Sequence, residues 1–141
     1  MLCSELMKSA IECVSPEDSA DLAARRMRDH NVGFLPVCDE NLRVVGTLTD
    51  RDLVIRLLAE QRPATTPVAD LMTREVVACR TTDDLHRAEE LMGLHRVARI
   101  LCTDEDGTLV GLISLSDVAE HESATRAGQT LKDVTLRERH P

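Results

Sequence analysis

An internal repeat constrains this chain more than any other feature of it. Sliding the sequence over itself by 65 positions lays residues 5–53 on residues 70–118 without a gap, with 12 identities in 49 pairs. Average composition would give about one identity in fifteen, so chance does not account for the match. The identical pairs include Leu6 with Leu71, Met7 with Met72, Asp18 with Asp83, Met27 with Met92, Asp39 with Asp104, Gly46 with Gly111 and Asp52 with Asp117. A unit of about fifty residues buries too little surface to be stable by itself, so the two copies are expected to pack as one module.

Each copy carries the same succession of local signals. Apolar stretches at 11–14 and 76–79 suit short buried strands. Ser15-Pro16-Glu17-Asp18 predicts a helix start capped by Ser15, and Thr81-Thr82-Asp83-Asp84 predicts the same in the second copy. Ala20, Ala23, Ala24 and Met27 follow helical spacing, as do Leu85, Ala88 and Met92. Two strands come next in each copy, 34–38 and 43–48 around Asp39-Glu40-Asn41, then 99–103 and 108–113 around Asp104-Glu105-Asp106-Gly107. A second helix begins at each aspartate region, and over residues 50–61 it carries Val54, Leu57 and Leu58 on one apolar face. The predicted class is α+β, with each repeat running β-α-β-β-α. The predicted organisation is a first repeat with its lead-in at 1–62, a linker at 63–67, a second repeat at 68–126 and a tail at 127–141 that frays.

Composition narrows the function. Phe34 is the single aromatic side chain, and the net charge is −8. Single-stranded nucleic-acid platforms need stacking rings, and phosphate backbones repel an acidic surface, so nucleic-acid binding is disfavoured. No apolar run approaches the roughly 20 residues of a membrane span. Glu5 stands where a signal peptide would be basic, so the expectation is a soluble cytoplasmic protein. Cys3, Cys13, Cys38, Cys79 and Cys102 are widely spaced with no C-x-x-C, so no metal site is expected. Buried thiols are the plain reading. A redox-linked bridge between Cys13 and Cys38, with Cys79 and Cys102 similarly placed, is the alternative. His30 and His95 fall at helix ends, where a histidine favours the helix dipole. No nucleophile, base and acid occur together with supporting local sequence, so no catalytic residue is assigned.

The stretch Leu35-Pro36-Val37, Asp39, then Val45-Gly46-Thr47-Leu48-Thr49-Asp50-Arg51-Asp52-Leu53 resembles a cystathionine-beta-synthase (CBS) domain. Val110-Gly111-Leu112-Ile113-Ser114-Leu115-Ser116-Asp117-Val118 shows the same signature of Gly, hydrophobic, Ser or Thr, and Asp. Together the copies resemble a tandem CBS pair, or Bateman module, over nearly the whole chain, and among stand-alone pairs the hypoxic-response protein group. The resemblance implies two repeats related by a pseudo-two-fold axis, sheets facing each other and helices outside. It implies clefts between the repeats that take AMP, ADP, ATP, NAD or S-adenosylmethionine, with no required cofactor. It also implies a homodimer that regulates a separate, unknown effector protein.

The residues support that chemistry on their own terms. An ionised Asp52 accepts two hydrogen bonds from a ribose diol, Thr49 sits beside free helix amides suited to phosphate, and Arg51 supplies compensating charge. The competing reading is that Asp52 and Asp117 only cap helices. With no ring to stack on, the base would be read by backbone groups near Val14, Ser15, Gly33, Phe34 and Leu35. In the second copy Ser114 and Asp117 remain, Cys79 and Arg80 match the strand entry, and Arg99 replaces Phe34. Arg99 either meets phosphate or fills a vacant pocket, so the two sites are expected to differ. The rival function is a structural or interaction protein with a vestigial cleft, with or without a response to thiol oxidation, and an enzyme is the least favoured reading.

Overall fold

The computed structural model describes residues 1–139; His140 and Pro141 lie outside the described residues. The helices are α1 (Cys3–Leu6), α2 (Ala20–His30), α3 (Asp50–Asp52), α4 (Leu85–His95), α5 (Leu115–His121) and α6 (Ala124–Arg139). A π-helical turn at Leu53–Leu58 continues α3, and a 3-10 turn spans Val68–Asp70. The strands are β1 (Phe34–Cys38), β2 (Val44–Thr49), β3 (Ala78–Arg80), β4 (Arg99–Thr103) and β5 (Leu109–Ser114). The chain is therefore α+β, and none of the described helices is long and apolar enough to cross a membrane.

Both hairpins have the same construction. β1 pairs antiparallel with β2, and β4 with β5, each with one irregularity next to the turn, at Val37/Cys38 and at Cys102/Thr103. The turns are closed by the repeat-matched aspartates. Asp39 Oδ1 accepts the backbone N–H groups of Asn41 and Arg43 at 2.9 and 3.0 Å, and Asp104 Oδ1 accepts those of Asp106 and Thr108 at 2.9 and 3.0 Å. A short acidic side chain reaching its own backbone two and four residues on explains why aspartate recurs there.

The parallel strand beside each hairpin differs between the copies. β3 pairs with β4 through Ala78↔Leu101, Cys79↔Cys102 and Arg80↔Thr103. In the first copy only a single bridge, Val14↔Val37, survives of the expected 11–14 strand. Proline accounts for this. Leu101 donates its N–H to the Val77 carbonyl at 3.2 Å, whereas the equivalent Pro36 has no N–H to give and serves only as an acceptor for Val14.

Helix α2 begins later than expected, whereas α4 begins from the last residue of the expected stretch. Ser19, rather than Ser15, caps α2 by accepting the Leu22 N–H at 3.1 Å, and Asp84 caps α4 by accepting that of His86 at 2.9 Å. The preceding residues form a turn in each copy. Asp18 Oδ2 accepts the Ser15 N–H at 2.8 Å, and Asp83 Oδ2 accepts the Arg80 N–H at 2.8 Å. In the segment after β2, Leu53 and Leu57 are the buried pair, while Val54, Ile55 and Leu58 are exposed. The expected face of Val54, Leu57 and Leu58 is thus split. The spacing admits two apolar stripes, and packing selected the one through Leu53 and Leu57.

The two compact units exchange their lead-in segments. One is Glu12–Val76; the other joins Met1–Ile11 to the described residues from Val77 onward. In the first, Leu71 and Met72 join Val14, Ala23, Leu35 and Leu48 in one apolar core. In the second, Cys3, with Leu6 and Met7 packed alongside, joins Met92, Ile100, Ile113 and Val118. Backbone pairing makes the same exchange, since Thr73 bridges Thr47 on β2 and Lys8 bridges Leu112 on β5. The matched glycines explain the fit. A Cβ on Gly46 would stand 2.8 Å from Met72 Sδ and 2.8 Å from the Thr73 carbonyl, and one on Gly111 would run into the Met7 side chain. The methionine–glycine pairs of the repeat are therefore a knob and its hole.

The expected frayed tail is instead the helix α6 as far as Arg139. It is held by packing that a charged, glycine-containing sequence does not advertise. Val134 and Thr130 are buried, and Thr130 donates its hydroxyl to Glu89 Oε1 on α4 at 3.2 Å.

Candidate ligand-binding site

In the first repeat, Thr49 and Asp52 stand where β2 runs into α3. They form a reciprocal capping box: Thr49 Oγ1 accepts the Asp52 N–H at 3.1 Å, and Asp52 Oδ2 accepts the Thr49 N–H at 2.9 Å. The other carboxylate oxygen, Oδ1, pairs with Arg56 Nε at 3.8 Å and accepts no hydrogen bond among the described residues. Arg56 is anchored elsewhere, donating from Nη1 to the carbonyls of Leu71 and Met72 at 3.1 Å each. Asp52 Oδ1 therefore keeps acceptor capacity, on a side chain that is 14% exposed. Phe34 lies opposite Thr49 in the β1–β2 register. The Gly33 carbonyl accepts the Asp50 N–H at 3.0 Å, and a Cβ on Gly33 would meet Asp50 Oδ2 at 2.7 Å. Gly33, Phe34, Thr49 and Asp52 thus gather at one end of the hairpin. Arg51 beside them is exposed.

The second repeat repeats the box with Ser114 and Asp117. Ser114 N–H donates to Asp117 Oδ2 at 2.8 Å, and the Ser114 hydroxyl also donates there at 2.9 Å. Here the second oxygen is taken, because Lys8 Nζ from the lead-in lies 3.5 Å from Asp117 Oδ1. Burial pushes the Asp117 carboxyl upward, but the Ser114 hydrogen bonds and the Lys8 charge outweigh it and hold the group below its usual range. Ser116, which replaces Arg51, has its hydroxyl 2.7 Å from that of Ser114. The aspartates therefore cap in both copies, but only the first leaves an oxygen loosely engaged. Lys8 was missed by sequence reasoning. Its signal lay in the alignment, where Lys8 faces Thr73, but it becomes legible only once the lead-in is seen to cross over. Arg99 lies opposite Ser114 in the β4–β5 register.

Of the strand-entry residues, Val14 and Ser15 lie towards the turn of the hairpin, whereas Leu35 follows Phe34 on β1. The Val14 N–H donates to the Pro36 carbonyl and its own carbonyl accepts from Cys38, so both its backbone groups are used. Ser15 lies on the turn side of that bridge, with its N–H held by Asp18. Arg80 N–H is held by Asp83 in the same way. Leu35 and Cys79 are buried within their own sheets. None of the N–H groups of Val14, Ser15 or Arg80 is open to read a base.

All five cysteines are free thiols. Burial, then the neighbouring Cys13, pushes the Cys38 thiol up to about 12. Cys79 Sγ lies 3.6 Å from both Cys3 Sγ and Cys102 Sγ, with its thiol also pushed up to about 12 and that of Cys3 raised further. Such thiols are poor nucleophiles near neutral pH, as buried structural cysteines are. His30, the last residue of α2, has its Nε2 3.2 Å from Glu12 Oε1.

The CBS-domain family model matches residues 3–59 and 68–124. The chain belongs to the CBS-domain family. As a CBS pair it is 33% identical over 137 residues to the CBS domain-containing protein YhcV of Bacillus subtilis, covering 96% of each chain. It is 31% identical to Hypoxic response protein 1 of Mycobacterium tuberculosis over 118 residues, 83% of this chain and 82% of that one. The crystal structure of Hypoxic Response Protein I, which has two coordinated zinc ions, superposes with a TM-score of 0.78 at 29% identity, covering 87% of this chain and all of that one. CBSX2 in complex with AMP superposes at 0.72 with 26% identity, covering 93% of this CBS pair and 98% of that chain.

Proposed function

We propose that this CBS pair is a regulatory protein that binds an adenosine-containing nucleotide at the strand-to-helix junction of its first repeat. The observation that carries the reading is the half-used carboxylate of Asp52. Its Oδ2 closes the capping box while Oδ1 remains available to a ribose diol beside Thr49. The AMP-bound CBSX2, similar over nearly the whole chain, supports the ligand class. The second repeat is the weaker site on this reading, because Lys8 already neutralises Asp117. Recognition rests on Gly33, Phe34, Thr49, Arg51 and Asp52, with Ser114, Asp117 and Arg99 as the second set. The protein acts without catalysis, by binding one nucleotide better in one of two conformations. It works as a homodimer on a separate effector in the cytoplasm; the exposed apolar stripe of Val54, Ile55 and Leu58 supports self-association.

A thermal-shift panel with AMP, ADP, ATP, NAD and S-adenosylmethionine tests this reading. At least one ligand is expected to raise the melting temperature by mass action. Asp52→Asn, which keeps an acceptor for the cap, is expected to remove that rise. No shift with any ligand at millimolar concentration overturns the reading, and an unchanged shift in Asp52→Asn moves the site elsewhere.

A further inference from the structure

A second polar cluster lies away from the capping boxes, where α4, the end of α5 and α6 meet. His86 and Glu89 are three residues apart on α4, and Glu122 is the C-cap of α5. One ligating atom from each of the three lies within 4.8 Å of the others. Glu89 is 6% exposed, yet its Oε2 is buried without a hydrogen-bond partner among the described residues. Glu122 Oε2 has His86 Nε2 at 3.2 Å and Arg126 Nε at 3.8 Å, but neither makes a hydrogen bond to it. A buried carboxylate oxygen with nothing to accept is costly, and two carboxylates side by side repel. Arg126 offsets one of the two charges, and the other is answered either by a proton held between Glu89 and Glu122 or by a bound cation.

We propose that His86, Glu89 and Glu122 form a binding site for a divalent first-row transition metal of the zinc class. One imidazole nitrogen with two carboxylate oxygens is a donor set for such an ion, whereas calcium or magnesium would call for oxygens throughout. The surroundings orient these donors as metal ligands usually are oriented. Asp84 Oδ1 lies 3.4 Å from His86 Nδ1, which leaves Nε2 as the nitrogen facing Glu122. The Thr130 hydroxyl lies 3.2 Å from Glu89 Oε1 and 3.1 Å from the Arg126 carbonyl, so Oε1 has a donor beside it and Oε2 has none. A pocket of about 140 Å³, lined by His86, Glu89, Arg126 and Thr130 among others, opens beside it and gives an ion a way in. His86 is itself exposed, so a water completes the coordination from the solvent side. The ion would tie α4 to the end of α5 and, through Thr130, to α6. This site is independent of the nucleotide reading.

The test uses the full chain, stripped with a chelator, at pH 7.5. Adding Zn²⁺ is expected to raise the melting temperature, and Co²⁺ is expected to give the weak visible bands of nitrogen and oxygen ligation. Glu89→Gln and His86→Gln are each expected to weaken Zn²⁺ binding by about ten-fold or more, as loss of a metal-orienting or ligating group does. Both replacements keep the shape of the site, and melting of each metal-free variant confirms that it folds. The proposal is overturned if Zn²⁺ at millimolar concentration leaves the melt unchanged. It is also overturned if both variants bind as the parent does, or if Co²⁺ gives the intense near-ultraviolet bands of thiolate ligation, which would assign the metal to the cysteines.

Discussion

Glu89→Gln makes the sharpest demand on this structure. Burial, then the adjacent Glu122, pushes the Glu89 carboxyl from its ordinary 4.5 up to about 7, despite the opposing help of the Thr130 hydroxyl and Arg126. The folded protein therefore prefers Glu89 neutral. Its contribution to stability is fully present below about pH 4.5 and is lost as the pH rises towards 7. At about 1.4 kcal/mol per pH unit, ionising this group in place costs roughly 3 kcal/mol by pH 8. Glutamine keeps the acceptor for Thr130, never ionises, and offers an N–H to Glu122. The variant is thus expected to match the parent near pH 4 and to exceed it by up to about 3 kcal/mol at pH 8, roughly 6 to 12 °C in melting temperature for a chain of this size. Urea unfolding of both proteins from pH 4 to 8, with a chelator present so that no bound cation substitutes for the proton, measures the difference directly. His86, Glu122, Arg126 and Thr130 surround Glu89 in both chains. If the difference between the proteins changes by less than about 0.5 kcal/mol across that range, the size of an ordinary surface substitution, the reasoning fails.

Three further outcomes follow from the packing. Gly46→Ala places a Cβ 2.8 Å from the Thr73 carbonyl, a backbone atom that cannot step aside, so the urea midpoint should fall by the equivalent of about 1–3 kcal/mol. An unchanged midpoint would show that the lead-in does not press on that hairpin. Leu42 holds φ at +60° on an exposed turn where the second copy has Gly107 at +82°; Leu42→Gly should stabilise by on the order of 1 kcal/mol, and a lowered midpoint would refute it. Lys8→Met removes a partner that holds Asp117 below its usual range, so it should cost up to about 1 kcal/mol at pH 7. That gap should close as the pH falls below 3.8 and Asp117 is protonated in both proteins; a gap that persists at pH 2 would mean that Lys8 acts through packing.

Much of the candidate site was legible before any coordinates. Thr49 with Asp52, and Ser114 with Asp117, close hydrogen bonds over three residues, so their geometry follows from spacing at a strand-to-helix junction. The backbone reading of Val14, Ser15 and Arg80 was less legible. Whether an N–H is open depends on the partner it meets: Asp18 and Asp83 through a turn, and Pro36 through a sheet pairing. The helix start at Ser19 was missed for the same reason, since the earlier turn consumed Asp18, one of the acids taken as helix-starting signals.

By itself, the amino-acid order determined the repeat, the strands of each hairpin, the turns closed by Asp39 and Asp104, and the capping boxes. All of these rest on contacts made within a few residues, or on a periodicity that one face can carry. Tertiary structure decided the rest. It set Met7 on Gly111 and Met72 on Gly46, so that each lead-in completes the hairpin of the other copy. It buried Leu53 and Leu57 and exposed Val54 and Leu58, and it drew α6 onto α4 through Thr130 and Glu89. Each of these choices lay between arrangements that local spacing leaves equal. The space left by a distant side chain broke the tie, and that space exists only once the chain has folded.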